Sequence, residues 1–461
     1  MPKNFIENRT LIFFISLTVL PFLLAGCAAP AGETNSNTNA ALSDSQNSNA
    51  SNENADIEKT AVDTERAVTL PVLNAMFADE RFSGDLKAAL QLSDEEIERL
   101  KTAAQNAVDS LDEDADGEYA GSTRAALNHS VETVSGIIGR EKTARLFEFV
   151  RKRWAGADEL LAQLNENMSA EPNQVPSDTR IVVNSPAYRM DVFRDGKLIK
   201  TYKVGIGYPE FPLPQGLRRA EKIIFNPTWT PPDEPWVKGK VRPGKTVEAG
   251  SKLNPLGPVK IPIGLPSLIH GGKDPSRLGT FASHGCVGLT SPLIQDFSLV
   301  LAGISGTALS PEDVKNYEKQ NTKTVEVKLA DPVLVELRYE TIVVEDGRLK
   351  IFRDVYEKGT NTEENLRRVL DHYNVSLDGL APEQKQKILE GLEQMAFDAQ
   401  GEKVEPVESD TNANKTDNKN SASSHVTRNV KGKKEVVFEL AELKGKGYPA
   451  PVDGEKQDGE K

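Results

Sequence analysis

The sequence predicts an α+β chain of several domains, in which a mainly β, sandwich-like catalytic domain is flanked by helical accessory regions. Three observations carry this expectation. Apolar residues recur at helical spacing from about Val68 to Asn165, the pattern changes at Arg180 to short runs separated by turns, and helical spacing returns near Glu363 to Tyr373 and Pro382 to Phe397. With 461 residues there is room for two or three domains and at least one sizeable core.

The first 27 residues read as an export signal. Lys3 and Arg9 give a positive start, and Leu11 to Leu24 form an apolar run too short and too interrupted to span a bilayer. The tetrad Leu24-Ala25-Gly26-Cys27 resembles the lipobox of bacterial lipoproteins. That resemblance implies that Cys27 is lipidated and becomes the mature N-terminus, tethering the chain to a membrane. An uncleaved anchor is the other reading of the same residues. Both put the chain outside the cytoplasm, in the cell envelope, and Ala28 points to the outer membrane.

Residues 28–60 are rich in Asn, Ser, Ala, Thr and Glu, lack the apolar residues a core needs, and are expected to be a disordered linker. Residues 61–170 read as a helical accessory domain. Ser93 with Glu96 makes a capping box, followed by Ile97, Leu100, Ala104, Val108 and Leu111, and a second apolar stripe holds Leu146, Phe147, Val150 and Trp154. Asp112-Glu113-Asp114-Ala115-Asp116-Gly117 matches the opening of a calcium loop, but Thr123 stands where a bidentate Glu is needed, so an acidic solvated loop is expected.

From Arg180 the runs 180–184 and 188–193, the Asp195-Gly196 turn and 198–204 read as strands with a hairpin. Proline and glycine then punctuate some 60 residues, which suits a loop-rich β domain. Thr324 to Leu329, Val333 to Val344 and Leu349 to Phe352 add strands. The catalytic domain is therefore placed at 178–345, a C-terminal helical region at 346–400, and a mostly disordered tail at 401–461 that includes the short piece Glu435 to Leu443.

A net charge of −13 argues against a nucleic-acid partner. Only Cys27 and Cys286 are available as thiols, in unrelated contexts, so no disulfide between them is expected. Cys286 lies in Ser283-His284-Gly285-Cys286-Val287, twelve residues beyond His270-Gly271. A thiol needs a base to become a nucleophile, and acyl transfer needs N–H donors for the developing oxyanion, which glycine-flanked backbone can present. Three zinc ligands from His270, His284 and Cys286 are the competing reading, but no HxxxH or CxxC spacing supports it. His129, His372 and His425 read as surface residues.

The His270-Gly271 pair, its spacing and the Ser-His-Gly-Cys-Val run resemble the motif of L,D-transpeptidases with a YkuD-type catalytic domain. Asn226-Pro227-Thr228-Trp229, Asn254-Pro255-Leu256-Gly257 and Val204-Gly205-Ile206-Gly207 resemble other parts of that family. The resemblance implies Cys286 as nucleophile, His270 as base, an oxyanion site made by the N–H groups around His284, Gly285 and Cys286, and a turn shaped by Ser283 and His284. His284 stays open between an accessory catalytic part and turn structure, and Gly271 is expected to leave room for substrate. It also implies peptidoglycan stem peptides as substrate, an amine of a second stem or of an anchored protein as acceptor, and no cofactor or metal. Water as acceptor would make a carboxypeptidase, and loss of catalysis a wall-binding lipoprotein. Two departures stand out. Gly288 replaces the family's Arg or Asn two residues past the nucleophile, with Arg277 the expected substitute in substrate binding, and Leu213-Pro214-Gln215-Gly216 replaces Thr-Pro-x-Gly.

Overall fold

The computed structural model describes residues 67–111, 121–154, 171–237, 239–404 and 428–452, all within a compact unit that runs from Ile57 to Lys461. The export signal with Cys27, the whole linker, the calcium-like loop at 112–117 and much of the tail lie outside the described residues.

The chain is α+β. It opens on helices α1 (Leu70–Phe77), α2 (Phe82–Leu90), α3 (Asp94–Asp109), α4 (Thr123–Ile138) and α5 (Arg140–Trp154). The capping box forms at α3: the Glu96 amide donates to Ser93 Oγ at 3.1 Å and the Ser93 amide to a Glu96 carboxylate oxygen at 2.7 Å. Two of the four unpaired N–H groups at that helix start are thereby satisfied. Ile97, Leu100 and Ala104 on one face pack with Leu146, Phe147, Val150 and Trp154 into one apolar cluster, so both stripes face the same core. Val108 and Leu111, at the far end of α3, instead join the core of the following β region.

That region begins with β1 (Arg180–Asn184), β2 (Arg189–Arg194) and β3 (Lys197–Lys203), the last two joined by the expected Asp-Gly turn. Asp195 and Gly196 both have positive φ, as a tight hairpin of matching twist requires. After β4 (Ile206–Gly207) come β5 (Gly216–Phe225), β6 (Val259–Pro262), β7 (Leu268–His270), β8 (Phe281–Ser283) and β9 (Val287–Gly288). Next are α6 (Ser291–Ile304), α7 (Pro311–Lys319) and the long β10 (Val325–Arg338). Eight strands form one sheet in the order β3-β2-β1-β10-β5-β6-β7-β9, in which β1 with β10 and β7 with β9 run parallel. Strands β4 and β8 make a separate parallel pair.

Two differences from the sequence reading have local causes. The two runs at 324–329 and 333–344 are largely one strand, β10, whose register against β5 shifts between Lys328 and Val333. Pro332 has no N–H for the ladder, so the strand bulges there and resumes. The helix α6 was not anticipated amid the strands. Thr290 caps it, with its hydroxyl accepting from the Leu293 amide, and Ile294, Phe297, Leu301 and Ala302 lie buried along one side.

The boundary at 345 falls inside a hairpin. Strands β11 (Ile342–Glu345), β12 (Arg348–Phe352) and β13 (Glu435–Glu439) form a three-stranded sheet, covered by α8 (Glu363–His372) and α9 (Pro382–Met395). Ile342, Val344, Leu349 and Ile351 share a core with Leu366, Leu370, Ile388 and Leu392, and that common burial joins the hairpin to the C-terminal helices. Residues 435–443, read as part of a tail, contribute the edge strand and the buried Leu443.

Candidate active site

The site is built where β7, β8 and β9 meet. The Phe281–Ser283 strand ends at a turn of which Gly285 has φ +87°, and the chain then enters β9. Ser283 closes the turn from within: its hydroxyl donates to the Cys286 carbonyl at 2.6 Å and accepts from the Cys286 amide at 2.9 Å. That second bond corrects one expectation. The Cys286 N–H is engaged inside the turn and is not a donor for an oxyanion. The Gly285 amide enters no hydrogen bond among the described residues.

The parallel ladder pairs Ile269 with Val287 and His270 with Gly288. Paired residues of a ladder share a face, so Gly288 stands beside His270, and Cys286 lies in the bend just before β9 with its thiol in reach of the Leu268 backbone on β7. His270 is buried, with 3% of its surface exposed. Its Nδ1 lies 2.8 Å from the Gly271 carbonyl oxygen, and since a carbonyl can only accept, this contact favours the tautomer with the proton on Nδ1 and the lone pair on Nε2. In this resting arrangement no hydrogen bond joins the ring to the thiol among the described residues.

Burial dominates the electrostatics. It lowers the His270 pKa to about 3, reinforced by the charge of Lys273 and only partly opposed by the Gly271 and Leu256 backbone. Burial also pushes the Cys286 thiol up, against the Leu268 backbone and Lys273, which favour the thiolate. At neutral pH both partners are therefore uncharged.

Gly271 has a different reason from the expected one. A Cβ there would sit 2.6 Å from Cγ2 of Ile294 and 3.2 Å from Cδ of Pro258, so the glycine is demanded by packing against α6, and its carbonyl orients the imidazole. The Asn254-Pro255-Leu256-Gly257 turn crosses the same place: a Cβ on Gly257 would fall 2.4 Å from the Gly272 amide nitrogen. Asn226 anchors the other end of that long loop. Its side-chain amide donates to the Tyr317, Gln320 and Lys323 carbonyls, and its backbone N–H donates to Pro258.

His284 faces a ring of aromatic side chains. Trp236 stacks on it at 4.5 Å and 14°, Trp229 stacks in turn on Trp236 at 5.6 Å, and Tyr208 and Phe211 meet it edge-on. This enclosure favours the turn-shaping reading of His284 over a proton-carrying one. The 208–211 turn that carries two of those rings is itself held from outside the sheet. Thr69 Oγ1 donates to the Glu210 carbonyl at 2.7 Å, Thr123 Oγ1 to the Pro209 carbonyl at 2.8 Å, and Tyr356 Oη to the Gly207 carbonyl at 2.8 Å. Thr123, the position where a calcium ligand was wanting, is thus an anchor between helix and loop.

Arg277 directs a guanidinium nitrogen to the Phe281 carbonyl, which ties the β7–β8 connection together. Among the described residues no group of three His, Cys, Asp or Glu side chains could hold a metal ion. Sequence reasoning missed Trp236 and Lys273. The tryptophan sits in a proline-rich loop with no periodic signal, and the lysine stem lies against a glycine fifteen positions away.

Residues 178–305 match the family model of YkuD, the L,D-transpeptidase catalytic domain. Among solved structures the chain is similar to a cysteine-to-serine mutant of the Enterococcus faecium L,D-transpeptidase (17% identity, TM-score 0.22, covering 34% of this chain and 49% of that one). It is also similar to the catalytic domain of the L,D-transpeptidase from E. faecium (19%, TM-score 0.22, 35% and 99%). A third likeness is to an L,D-transpeptidase from Mycobacterium tuberculosis (15%, TM-score 0.20, 35% and 57%). The match spans about half the length of the first of these chains. No curated protein matches this chain.

Proposed function

We propose that the YkuD-type L,D-transpeptidase domain of this chain performs two-step acyl transfer on peptidoglycan stem peptides, with Cys286 as nucleophile and His270 as base. The observation that carries this reading is the tautomer of His270. The contact of Nδ1 with the Gly271 carbonyl favours an unprotonated Nε2, which supports a base on β7 next to the strand that Cys286 leads into. In the first step the sulfur attacks the carbonyl of the L-centre residue that precedes D-Ala. The thiol proton passes to Nε2 and from there to the departing amine as the C–N bond breaks, so D-Ala leaves neutral at nitrogen and a thioester remains. In the second step an amine of a neighbouring stem, or of a protein to be anchored, attacks the thioester and the thiol is regenerated. The Gly285 amide is the donor best placed by the turn for the oxyanion. The lipobox-like start supports placing this activity in the cell envelope, on a lipid tether at Cys27 that faces the periplasm.

The test is mass spectrometry after exposure to a carbapenem, with cross-linking of purified tetrapeptide muropeptides measured alongside. Wild-type protein should gain the adduct on the Cys286 peptide, and Cys286→Ala should gain none and cross-link nothing while keeping its circular dichroism. A wild-type thiol that stays unmodified, or full cross-linking by the alanine variant, overturns the assignment.

A further inference from the structure

We propose that Lys273 is the side chain that holds a carboxylate of the donor peptide beside Cys286, in space that Gly288 keeps open by lacking a side chain. This rests on the acyl-transfer reading above and names the group that would orient the donor. The argument is geometric. A Cβ on Gly288 would lie 2.8 Å from Cγ of Lys273, 2.9 Å from its Cε and 3.3 Å from its Cδ, so the lysine stem runs along the surface of that residue. The backbone fixes the lysine there. Its amide donates to the Leu289 carbonyl at 3.0 Å, and the Leu289 amide donates to the His270 carbonyl at 2.8 Å, which extends the β7–β9 pairing past the strand ends. Gly288 has no room to move away, because its amide and carbonyl both bond to Gly205, at 2.8 and 2.9 Å.

Gly288 pairs with His270 across the β7–β9 ladder, so the two stand on one face, and Cys286 lies two residues before Gly288 in the bend that leads into β9. A lysine stem lying over Gly288 is therefore beside the imidazole and within two residues of the thiol. The charge acts on both, favouring the thiolate and opposing the imidazolium. Lys273 is only partly buried, so water and solute reach it. A compact ammonium on a flexible stem suits a carboxylate whose position shifts between the steps of a reaction. The donor stem offers two such groups near the scissile bond: the terminal carboxylate of D-Ala and any carboxylate on the third residue.

Alkylation of Cys286 by iodoacetate and by iodoacetamide tests this without turnover, since the two reagents differ chiefly in charge. Lys273→Met should lower the iodoacetate-to-iodoacetamide rate ratio about fivefold, the order expected of one partly screened charge, and Lys273→Arg should restore it. Gly288→Ala, which displaces the stem and keeps the charge, should lower the ratio as well, and it serves if the methionine variant does not fold. An unchanged ratio in a folded variant overturns the proposal, whatever becomes of the transpeptidase reading. Donor peptides then separate the two carboxylates. A rise in KM caused by Lys273→Met that disappears when the D-Ala carboxyl is amidated assigns the terminal group, and one that disappears when the third residue lacks its carboxylate assigns that group. No rise in KM with any donor overturns the proposal.

Discussion

The protonation state of the Cys286–His270 pair makes a sharp kinetic prediction. With a His270 pKa of about 3, only about one imidazole in 10⁴ is protonated at pH 7. The thiol is pushed above its ordinary value of about 8.5, so at most a few per cent is thiolate at that pH. Moving the proton from sulfur to Nε2 before any attack is strongly uphill, since burial disfavours both charged forms. The resting pair is therefore neutral, and the proton moves as the sulfur attacks. Iodoacetamide reads the thiolate alone. Its rate with wild-type protein should climb in one sigmoid with a midpoint above about 8.5 and no plateau between pH 5 and 8. His270→Gln should leave that midpoint nearly in place and reduce carbapenem acylation by about 10²-fold or more, because only acylation uses the base. An alkylation rate at pH 6 within a few-fold of that at pH 9 would reveal a thiolate–imidazolium pair and refute the reasoning.

Three further outcomes follow from the same contacts. Because His270 is buried and neutral, the unfolded chain binds the extra proton between about pH 6.5 and 3, so this residue's contribution to stability is whole above about 6.5 and declines as pH falls toward about 3. Denaturant unfolding of wild type against His270→Gln should show that loss, up to about 5 kcal/mol, in the difference between the two. The comparison also cancels Glu357, whose pKa is raised to about 7 by burial and whose contribution has the opposite sign, present at low pH and lost as pH rises through about 7. Gly271→Ala should destabilise the domain by about 1–3 kcal/mol, since the new methyl meets Ile294 and Pro258, and an unchanged melting temperature would contradict the packing argument. Ser283→Ala removes both bonds that close the nucleophile turn, so carbapenem acylation should fall at least tenfold with the iodoacetamide midpoint little moved.

What the sequence disclosed and what it withheld divide along sequence separation. The Ser283–Cys286 turn spans three residues, the capping box at Ser93 and Glu96 likewise, and the hairpin at Asp195-Gly196 is adjacent in sequence. Each is decided by local backbone requirements that residue type expresses directly. The reasons for Gly271 and Gly288 could not be read that way. A glycine announces that a Cβ is unwelcome without saying what would meet it, and the answers, Ile294 and Lys273, come from other segments. The identity of β13 was hidden for a related cause: Val436, Val437 and Phe438 form an apolar run of only three residues between Glu435 and Glu439, and the partner that pairs with them, β12, lies more than 80 residues earlier.

The helical region shows how far this reaches into function. From composition it is an accessory domain without a purpose, and its apolar stripes explain only its own core. Its polar residues connect it to the site. Thr69 and Thr123, each at a helix start, donate hydroxyl protons to successive carbonyls of Pro209 and Glu210, and one residue on either side of that pair carries a ring that meets His284. Threonine at a helix start has an ordinary explanation as a cap, which Thr69 also fulfils through the Val72 amide, so nothing in the pattern marks it as an anchor. Yet the turn that carries two of the rings around His284 is held by those two hydroxyls, and Gly207 just before it by Tyr356. The surroundings of His284 are thus a property of the helical layer, the mixed sheet and the C-terminal module together, although the proposed nucleophile and base are carried by β7 to β9 and the bend between them.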